Sequence, residues 1–388
     1  MFVKMSQDVK LLISLFLPLF LIYGVQHVYL VYGNLIQSYG ISHEATGWIL
    51  SVYFLAAMAI RPLGGWLLEN FGIRKTIVCG GMLSFIGCSL FFFKQPVALL
   101  LLGRAMSGAG FGICSTGLFS YQGLCVSEKM RGAMFSLLVV GGVLPISTIT
   151  PIGEWLLLNS HDTLFFAIGP ILSALCCYLG GRINVTATGQ MRYKEDKPWG
   201  TYSELFSSRT FLFLVLTGTI IGLVDALMIS ISLLSAEKGI AASYFLASLS
   251  IAAVTVRLAG SPILNVIPRI VLFAPCGILM SCSVIFASFF PARSVFILTG
   301  ALFGIGIGAG WPMYHSLIGD LLDAALLPKG SATALLLFDG GYFVTPLVVG
   351  YLLPHFGIAW TFASFSLTMI GALLLIEVFY WLPLYMKK

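Results

Sequence analysis

Apolar residues run along this chain in stretches of about twenty or more, and short polar segments separate them. A helix that crosses a lipid bilayer needs roughly 20 consecutive apolar residues, so each long stretch is a candidate span. We therefore predict an all-α membrane protein with twelve transmembrane helices in two groups of six: 11–35, 46–68, 75–93, 97–122, 133–158, 163–181, 210–236, 243–264, 269–290, 295–319, 331–354 and 359–383.

One longer polar segment divides the two groups of predicted helices. It predicts an N-terminal six-helix bundle over 1–181, a cytoplasmic linker over 182–209 and a C-terminal six-helix bundle over 210–388. The end of the linker, Thr201–Arg209, has the pattern of a short amphipathic surface helix. The first apolar stretch continues to about Gly33, beyond the roughly 7–15 residues of a signal-peptide core. We expect it to be an uncleaved first helix.

Composition and charge agree with a lipid environment. Only 9% of the 388 residues are charged and 59% are hydrophobic, whereas soluble domains carry roughly 25% charged residues. With a cytoplasmic N-terminus, fifteen of the 21 Lys and Arg residues fall in inside segments and three in outside loops. This bias predicts that both termini are cytoplasmic, and we expect a multi-pass protein of the bacterial inner membrane. The basic residues are scattered, which argues against a nucleic-acid partner.

The two halves of the chain resemble each other at a shift of 196 residues. Arg61 and Gly64 recur as Arg257 and Gly260, and the series Gly108-x-Gly110-x-Gly112 recurs as Gly304-x-Gly306-x-Gly308. Parallel repeats of this kind occur in secondary transporters, whose substrate site lies near the membrane midplane. The repeat therefore predicts two pseudo-symmetric bundles.

The segment Gly65–Lys75, between the second and third predicted helices, resembles the signature loop of the major facilitator superfamily. Arg104-x-x-x-Gly108 resembles the arginine motif of the family's fourth helix, and Thr150-Pro151-Ile152-Gly153 partly matches its antiporter motif. The resemblance covers essentially the full chain and implies the two-bundle transporter fold. It also implies a gating role for the matching residues of the loop, which are Gly65, Glu69, Gly72, Arg74 and Lys75.

The loop departs from the family pattern at two positions. Glu69 stands where the family usually has aspartate, and Asn70 stands where it usually has a basic residue. A finer similarity links the chain to bacterial proton-coupled exporters of drugs and metallophores, such as the staphylopine exporter. That similarity rests on Tyr53 to Gly64, on Pro312 and on the Leu327-Pro328-Lys329 loop, and it implies efflux by antiport.

Polar residues form narrow stripes on the first and fourth predicted helices. A helix facing lipid on all sides would not gather its polar groups on one face. In the superfamily, helices 1, 4, 7 and 10 line the central cavity, so the resemblance gives these stripes a substrate-binding role. In the tenth helix, Pro312 interrupts the backbone hydrogen bonding beside three further candidates. The predicted substrate-binding residues are Tyr23, His27, Asn34, Arg104, Ser115, Gln122, Trp311, Tyr314 and His315.

Two acidic residues within predicted spans are candidates for proton coupling. Asp225 lies midway along the seventh helix, where the repeat aligns it with His27, and Asp339 lies in the eleventh. A charged side chain at membrane depth costs at least roughly 2.5–3.5 kcal/mol on insertion scales, so we expect a compensating role. Asp225 could pair with His27 or Arg104 and carry a proton, or it could belong to a fixed ion pair. Glu154 and Glu377 lie nearer to helix ends, and we expect each to be solvated or to snorkel to the interface rather than to couple protons.

The arginines within the spans have alternative interpretations. Arg61 and Arg257 occupy equivalent positions near the inside ends of their helices, which favours a gating or clamping role, or snorkelling to the interface. Arg104 lies deeper, and its planar guanidinium could bind an anionic substrate group or lock its helix to a neighbour.

Several classes of function are excluded or disfavoured. The glycine series lie within apolar spans without a preceding strand, so they do not predict a dinucleotide site. The sequence has no GxxxxGK[ST] motif, and its eight cysteines show no metal-ligand spacing. A membrane enzyme or sensor is disfavoured because the five histidines are dispersed and no soluble domain is present.

We therefore predict a transporter without a cofactor that is not an enzyme. Its expected partners are a small solute, protons and the bilayer, and we expect a monomer. The predicted activity is proton-coupled export of a metallophore, siderophore or drug-like compound by alternating access. The alternative is an importer of a siderophore, peptide or amino acid.

Overall fold

The computed structural model describes residues 7–94, 96–125, 128–183, 201–259, 268–323 and 326–386, without the side chains of 7–10, 65, 69, 123–125, 128–137, 327 and 328. Every regular element in these ranges is helical. The helices are α1 Gln7–Val28, α2 Tyr32–Ser38, α3 His43–Ser89, α4 Val97–Cys125, α5 Glu128–Leu158, α6 Asp162–Gly180, α7 Tyr202–Ser207, α8 Arg209–Asp225, α9 Leu227–Glu237, α10 Ser243–Ala259, α11 Arg269–Phe289, α12 Arg293–Leu321, α13 Leu327–Phe356, α14 Ile358–Ile376 and α15 Leu382–Met386.

Eleven helical segments in the described ranges are long and apolar enough to cross a membrane. They correspond to eleven of the twelve predicted spans. The remaining one, predicted over 243–264, is present as the shorter apolar helix α10, which ends where the described residues end. The number of twelve spans and the cytoplasmic placement of both termini therefore stay predictions.

The Cα positions group into two compact units. The first unit comprises 1–41 and 52–194, and the second comprises 42–51 and 195–388. The first turns of α3 are grouped with the second unit because they pack on α13. There, a Cβ atom added to Gly350 would lie 2.7 Å from the carbonyl oxygen of His43.

The internal repeat reappears as equivalent helix contacts within each unit. In the first unit, Gly108 of α4 packs against the backbone of Tyr53, and a Cβ on Gly112 would lie 2.5 Å from the Ala57 oxygen. In the second unit, Gly304 of α12 packs in the same way against Leu249, and Gly308 packs against Ala253. Each residue in the contacts of the second unit follows its counterpart in the first unit by 196 positions. The glycine series thus allow close helix packing, as the repeat predicts.

The helices that correspond to the first and seventh predicted spans are both interrupted, and at equivalent positions. A 3₁₀ turn, Tyr29–Val31, separates α1 from α2 just after His27. Helix α8 ends at Asp225, and α9 begins after Ala226. Because the alignment pairs His27 with Asp225, both halves break regular helix geometry beside the aligned polar residue. The sequence did not predict these interruptions.

The predicted loop between the second and third spans is reduced to a single break. Helix α3 continues through this segment except at Gly72, whose φ of 75° and ψ of 167° lie outside the helical region. A positive φ favours glycine because a side chain would collide with the backbone. After the break, Arg74 Nε donates a hydrogen bond to the Ile183 carbonyl oxygen at 2.8 Å, which ties α3 to the end of α6.

A short helix is present within the predicted linker, as the sequence indicates. Helix α7 begins after Thr201, whose side chain accepts a hydrogen bond from the Glu204 backbone, while the Glu204 side chain accepts one from the Thr201 backbone. This reciprocal cap satisfies two amide groups at the helix start. Residues 184–200 of the linker lie outside the described residues.

Candidate functional site

In the first unit, the stripe of α1 places an imidazole inside the protein. The His27 side chain is 3% exposed, and its ring centroid lies 5.7 Å from that of Tyr23. Its Nδ1 atom has no hydrogen-bond partner among the described residues. Tyr23 in turn packs edge-on against Phe111 of α4, at 4.8 Å between centroids. The structure therefore brings the α1 and α4 stripes together at Tyr23.

The rest of the α1 stripe does not continue this surface. Asn34 and Ser38 are exposed on α2, and the Ser38 hydroxyl donates to the Leu35 carbonyl oxygen. The prediction assumed a constant helical step of about 100° per residue. The 3₁₀ turn at Tyr29–Val31 breaks that step, so the one-face geometry predicted for residues beyond it does not hold.

Helix α4 carries two of its predicted polar residues in buried positions. Gln122 is 1% exposed, and neither its amide oxygen nor its amide nitrogen has a partner among the described residues. Ser115 is also buried, and its hydroxyl donates to the Gly112 carbonyl oxygen at 3.4 Å. A buried amide without partners is costly, which makes Gln122 the least satisfied of the predicted binding residues.

Arg104 lies among aromatic rings of the first unit. It is 2% exposed, and its guanidinium carbon lies 4.5 Å from the Tyr53 ring centroid and 5.5 Å from that of Tyr29. Cation–π contacts of this kind stabilise a desolvated guanidinium by up to about 2 kcal/mol. The geometry matches the locking alternative, in which Arg104 holds α4 against α3 and the turn that follows α1.

In the second unit, Asp225 is buried with a hydrogen-bond donor from another helix. The carboxylate is 4% exposed and accepts a hydrogen bond from the hydroxyl of Tyr342 in α13. Close packing holds the two helices together at this point, since a Cβ on Gly341 would lie 2.5 Å from the Leu223 nitrogen. A second hydrogen bond joins the same two helices, because the Thr345 hydroxyl of α13 donates to the Leu223 carbonyl oxygen of α8 at 2.8 Å.

The structure gives Asp225 a hydrogen-bond donor that the sequence did not predict, and pairing with His27 or Arg104 stays a prediction. Tyr342 was not singled out, although it lies three residues after Asp339 and therefore on the same helix face. That spacing was the available signal. The packing of α8 against α13, which brings Tyr342 to Asp225, is a tertiary feature.

Two further groups act electrostatically on Asp225, and one of them also acts on a histidine. Arg257 of α10 and Asp339 of α13 both influence the Asp225 carboxylate, and Arg257 also influences His315 of α12. The structure thus joins the two predicted coupling carboxylates to Arg257, which the sequence assigned to gating. We call Asp225, Asp339, Arg257, His315 and Tyr342 the charged cluster.

Aromatic rings border the charged cluster. Trp311 lies 4.6 Å from the His315 ring and 4.7 Å from the Phe338 ring, both edge-on. Tyr314 is fully buried, and its hydroxyl donates to the Ala334 carbonyl oxygen at 3.1 Å. The His315 Nε2 atom is buried and has no partner in the described part of the chain. The binding role of Trp311 and His315 stays a prediction, whereas the Tyr314 hydrogen bond ties α12 to α13.

The predicted gating residues take separate positions. Arg61 is half-buried in α3, and the Lys75 ammonium lies 6.0 Å from the Phe71 ring centroid. Gly65 and Glu69 lie in α3, but their side-chain positions lie outside the described residues. Where side chains are described, no group of three His, Cys, Asp or Glu residues could hold a metal ion.

The contact of α8 with α13 makes a testable prediction at two adjacent glycines. A Cβ on Gly341 would collide with the α8 backbone, whereas a Cβ on Gly340 would have nothing within 4 Å. We expect Gly341→Ala to lower thermal stability and transport, because overpacking costs about 1–3 kcal/mol and separates Asp225 from Tyr342. Gly340→Ala is the control and is expected to behave like the wild type in melting and flux assays. Equal behaviour of both variants would contradict the contact.

Comparison with known families identifies the family of this chain. The sequence profile described as Major Facilitator Superfamily matches residues 12–324. The chain belongs to the Major Facilitator Superfamily. It is therefore a multi-pass membrane transporter, as the resemblance of the Gly65–Lys75 segment implied.

Similar proteins are known at the level of sequence and of fold. The facilitated trehalose transporter Tret1 of Aedes aegypti is 32% identical over 99 residues, which are 26% of this chain and 12% of that protein. Its counterpart in Anopheles gambiae is 31% identical over 121 residues, or 31% of this chain and 15% of that protein. These matches span less than a fifth of either relative.

Solved structures share the fold over nearly the whole chain. A D-xylose-proton symporter superposes with a TM-score of 0.78 at 14% identity, covering 96% of this chain and 97% of the other. A bacterial homologue of the human lysosomal transporter Spinster superposes with a TM-score of 0.73 at 14% identity, covering 97% of each chain. At this identity the likeness concerns the fold alone.

Proposed function

We propose that this superfamily member is a proton-coupled secondary transporter of a small solute, with Asp225 as the coupling carboxylate. The observation that carries the proposal is the burial of Asp225 beside Tyr342 and Arg257. An ionisable residue within a membrane is a functional candidate by default, because its charge is costly there. The repeat alignment with His27 and the helix end at Asp225 add support.

The charged cluster suggests how a proton would act. When Asp225 is charged, it attracts Arg257 and accepts the Tyr342 hydroxyl. When Asp225 takes up a proton, its attraction to Arg257 is lost. The two states differ by one charge at the contact between α8 and α13, which Arg257 of α10 influences electrostatically. Protonation would thus shift the balance between two packings of these helices.

Candidate solute-binding groups are the polar side chains of each unit, taken separately, that have unused hydrogen-bonding capacity. In the second unit these are His315 and the indole of Trp311, and in the first unit they are His27 and Gln122. The buried polar atoms of His27, Gln122 and His315 lack partners among the described residues, which a bound solute could supply, and Trp311 packs edge-on against His315. Asn34 belongs to this proposed set as an exposed member.

For the direction of transport, we propose export of a metallophore, siderophore or drug-like compound across the inner membrane. The partial antiporter motif Thr150-Pro151-Ile152-Gly153 and the likeness to metallophore exporters support this direction. The residues of the motif lie in α5, where the Thr150 hydroxyl donates to the His27 carbonyl oxygen at 2.9 Å. The motif therefore contacts the candidate binding residue directly.

A second candidate is proton-coupled import of a small solute. It is favoured by the similarity to transporters named for trehalose and to a D-xylose-proton symporter. Sugars bind through hydroxyl groups, and the neutral side chains of Gln122 and His27 suit that chemistry. A sugar thus joins siderophores, peptides and amino acids as a candidate substrate.

Proton movement relative to solute movement separates the two candidates. Purified protein in liposomes with a pH-sensitive dye inside would be offered metallophores, cationic drugs, sugars and dipeptides under an imposed solute gradient. In antiport, protons move against the solute flux, and in symport they move with it. This sign does not depend on how the protein is oriented in the liposome. Solute flux that moves no protons would overturn the coupling proposal.

A further inference from the structure

An acidic residue near the end of the chain lies in an unusual stretch of helix. Glu377 begins a π-helical segment, Glu377–Trp381, between α14 and α15. The segment lies inside the apolar span Ile358–Met386. Short π-helical stretches inside α-helices are rare and occur frequently at functional sites. From the sequence, Glu377 was expected to be a solvated residue near a helix end.

Two aromatic residues anchor this π-segment to α8. The Tyr380 hydroxyl donates to Thr210 Oγ1 at 2.8 Å, and the Tyr380 ring stacks on Phe213 with centroids 3.9 Å apart. Trp381 is buried, and its Nε1 donates to Thr217 Oγ1 at 2.9 Å. The extra residue of the π-segment thus turns both rings toward the helix that carries Asp225.

One oxygen of the Glu377 carboxyl is left buried without a hydrogen-bond partner in this segment. Its residue is half-buried, and its Oε2 atom is buried with no hydrogen-bond partner anywhere in the described residues. A buried oxygen that accepts no hydrogen bond is poorly suited to a negative charge. The protonated carboxyl avoids that cost, because the bound proton neutralises its charge.

No neighbouring charge in the described chain compensates Glu377. Burial is the one influence that acts on its carboxyl. The elements packed against it carry Arg209 at the start of α8 and Arg269 at the start of α11, and neither contributes. The remaining titratable side chains of these elements, of the π-segment and of α15 are Asp225, Cys276, Cys282, Tyr380 and Tyr385, and none of them contributes.

We propose that Glu377 is a proton-binding site, separate from the charged cluster around Asp225. The carboxylate takes its proton from water at the membrane face where α15 ends, and the neutral acid then stays in the helix interface. Protonated Glu377 favours the packing of the π-segment on α8. A charged Glu377 would draw water or pull toward the interface, and so would loosen the contacts of Tyr380 and Trp381. The site does not depend on the coupling role proposed for Asp225.

Thermal unfolding measured against pH tests this site without a transport assay. A carboxyl that keeps its proton in the folded protein, but releases it in the unfolded chain, contributes stability at low pH that is lost as the pH rises. The wild type is therefore expected to melt at lower temperature as the pH increases. Glu377→Gln mimics the neutral acid at every pH and should melt roughly 2–4 °C above the wild type at the alkaline end.

A matched control uses a glutamate outside the membrane interior. Glu237 is exposed and pairs with Lys238 at 3.4 Å, so Glu237→Gln should leave the pH dependence of melting unchanged. If Glu377→Gln follows the wild-type pH dependence, the proposal is wrong. Repeating the comparison in an Asp225→Asn background separates the two sites, and the Glu377 effect is expected to persist there.

Infrared spectroscopy gives a second readout that does not require the glutamine variant to be stable. The wild type should show a protonated carboxyl band that is lost as the pH rises. Glu377→Asp, which keeps an acid, should move that band while Glu237→Asp leaves it in place. A spectrum that is identical in the wild type and Glu377→Asp would show that Glu377 is ionised, and would overturn the proposal.

Discussion

Asp225→Asn is expected to lower uphill transport driven by a proton gradient severely, while exchange of solute for solute continues. The substitution removes the proton-binding oxygen but keeps the size of the side chain and its hydrogen bonding to Tyr342. Typical coupling free energies of about 1–3 kcal/mol correspond to roughly 5–150-fold effects, so accumulation against a gradient should fall by that range. Counterflow needs no net proton movement and should remain near the wild-type rate.

The control for this result is Asp320→Asn. Asp320 also lies in the second unit, but it is exposed and pairs with Arg269 at 2.8 Å. Its substitution is expected to leave both assays unchanged, since an exposed ion pair contributes little. Tyr342→Phe should give an intermediate loss, because it removes only the hydroxyl that Asp225 accepts. Retained accumulation in Asp225→Asn would assign coupling to another residue.

Gly108→Ala and Gly304→Ala are expected to prevent or severely weaken folding, each within its own unit. A Cβ at Gly108 would overlap the carbonyl oxygen of Tyr53, and a Cβ at Gly304 would overlap that of Leu249. The obstacle in both cases is backbone, which cannot rotate away as a side chain can. Overpacking costs about 1–3 kcal/mol and occasionally more, and we expect the upper end of that range.

The two glycine variants can be checked by melting and by yield of monodisperse protein. Gly371→Ala is the control, because a Cβ at Gly371 would have nothing within 4 Å. It should keep wild-type stability or gain slightly from the better helix propensity of alanine. Because Gly108 and Gly304 are equivalent by the repeat, their losses should be similar. A clear difference between them would mean that the equivalent helix contacts do not contribute equally.

Local sequence pattern was sufficient for the helical architecture. Runs of apolar residues reveal spans because a bilayer demands both a minimum length and internally satisfied backbone groups. The repeat could also be read directly, since Gly108 and Gly304 keep the same packing role in both halves. The depth of Asp225 followed from counting residues along its span. These features depend on one helix at a time, or on one helix compared with its equivalent.

The residues that surround Asp225 required the tertiary structure. Helical periodicity states which side chains share a face, but it does not state which helix that face meets. Tyr342 reaches Asp225 only because α13 packs on α8 in this fold, and the electrostatic effect of Arg257 on Asp225 likewise depends on the tertiary structure. Helical periodicity is also unreliable beyond the 3₁₀ turn after His27 and beyond the π-segment at Glu377. Each of these changes the rotation per residue on which the periodicity depends.

The sequence by itself thus determined that the chain is a helical membrane transporter with an internal repeat. It also identified Asp225 as a candidate carboxylate midway along a span. The tertiary structure decided the contacts: Tyr342 as the donor to Asp225, Arg104 among tyrosine rings, and an unpartnered carboxyl at Glu377. The physical reason is that burial in lipid selects residue types along a chain, whereas hydrogen bonds and charge interactions depend on distances of a few ångströms between separate helices.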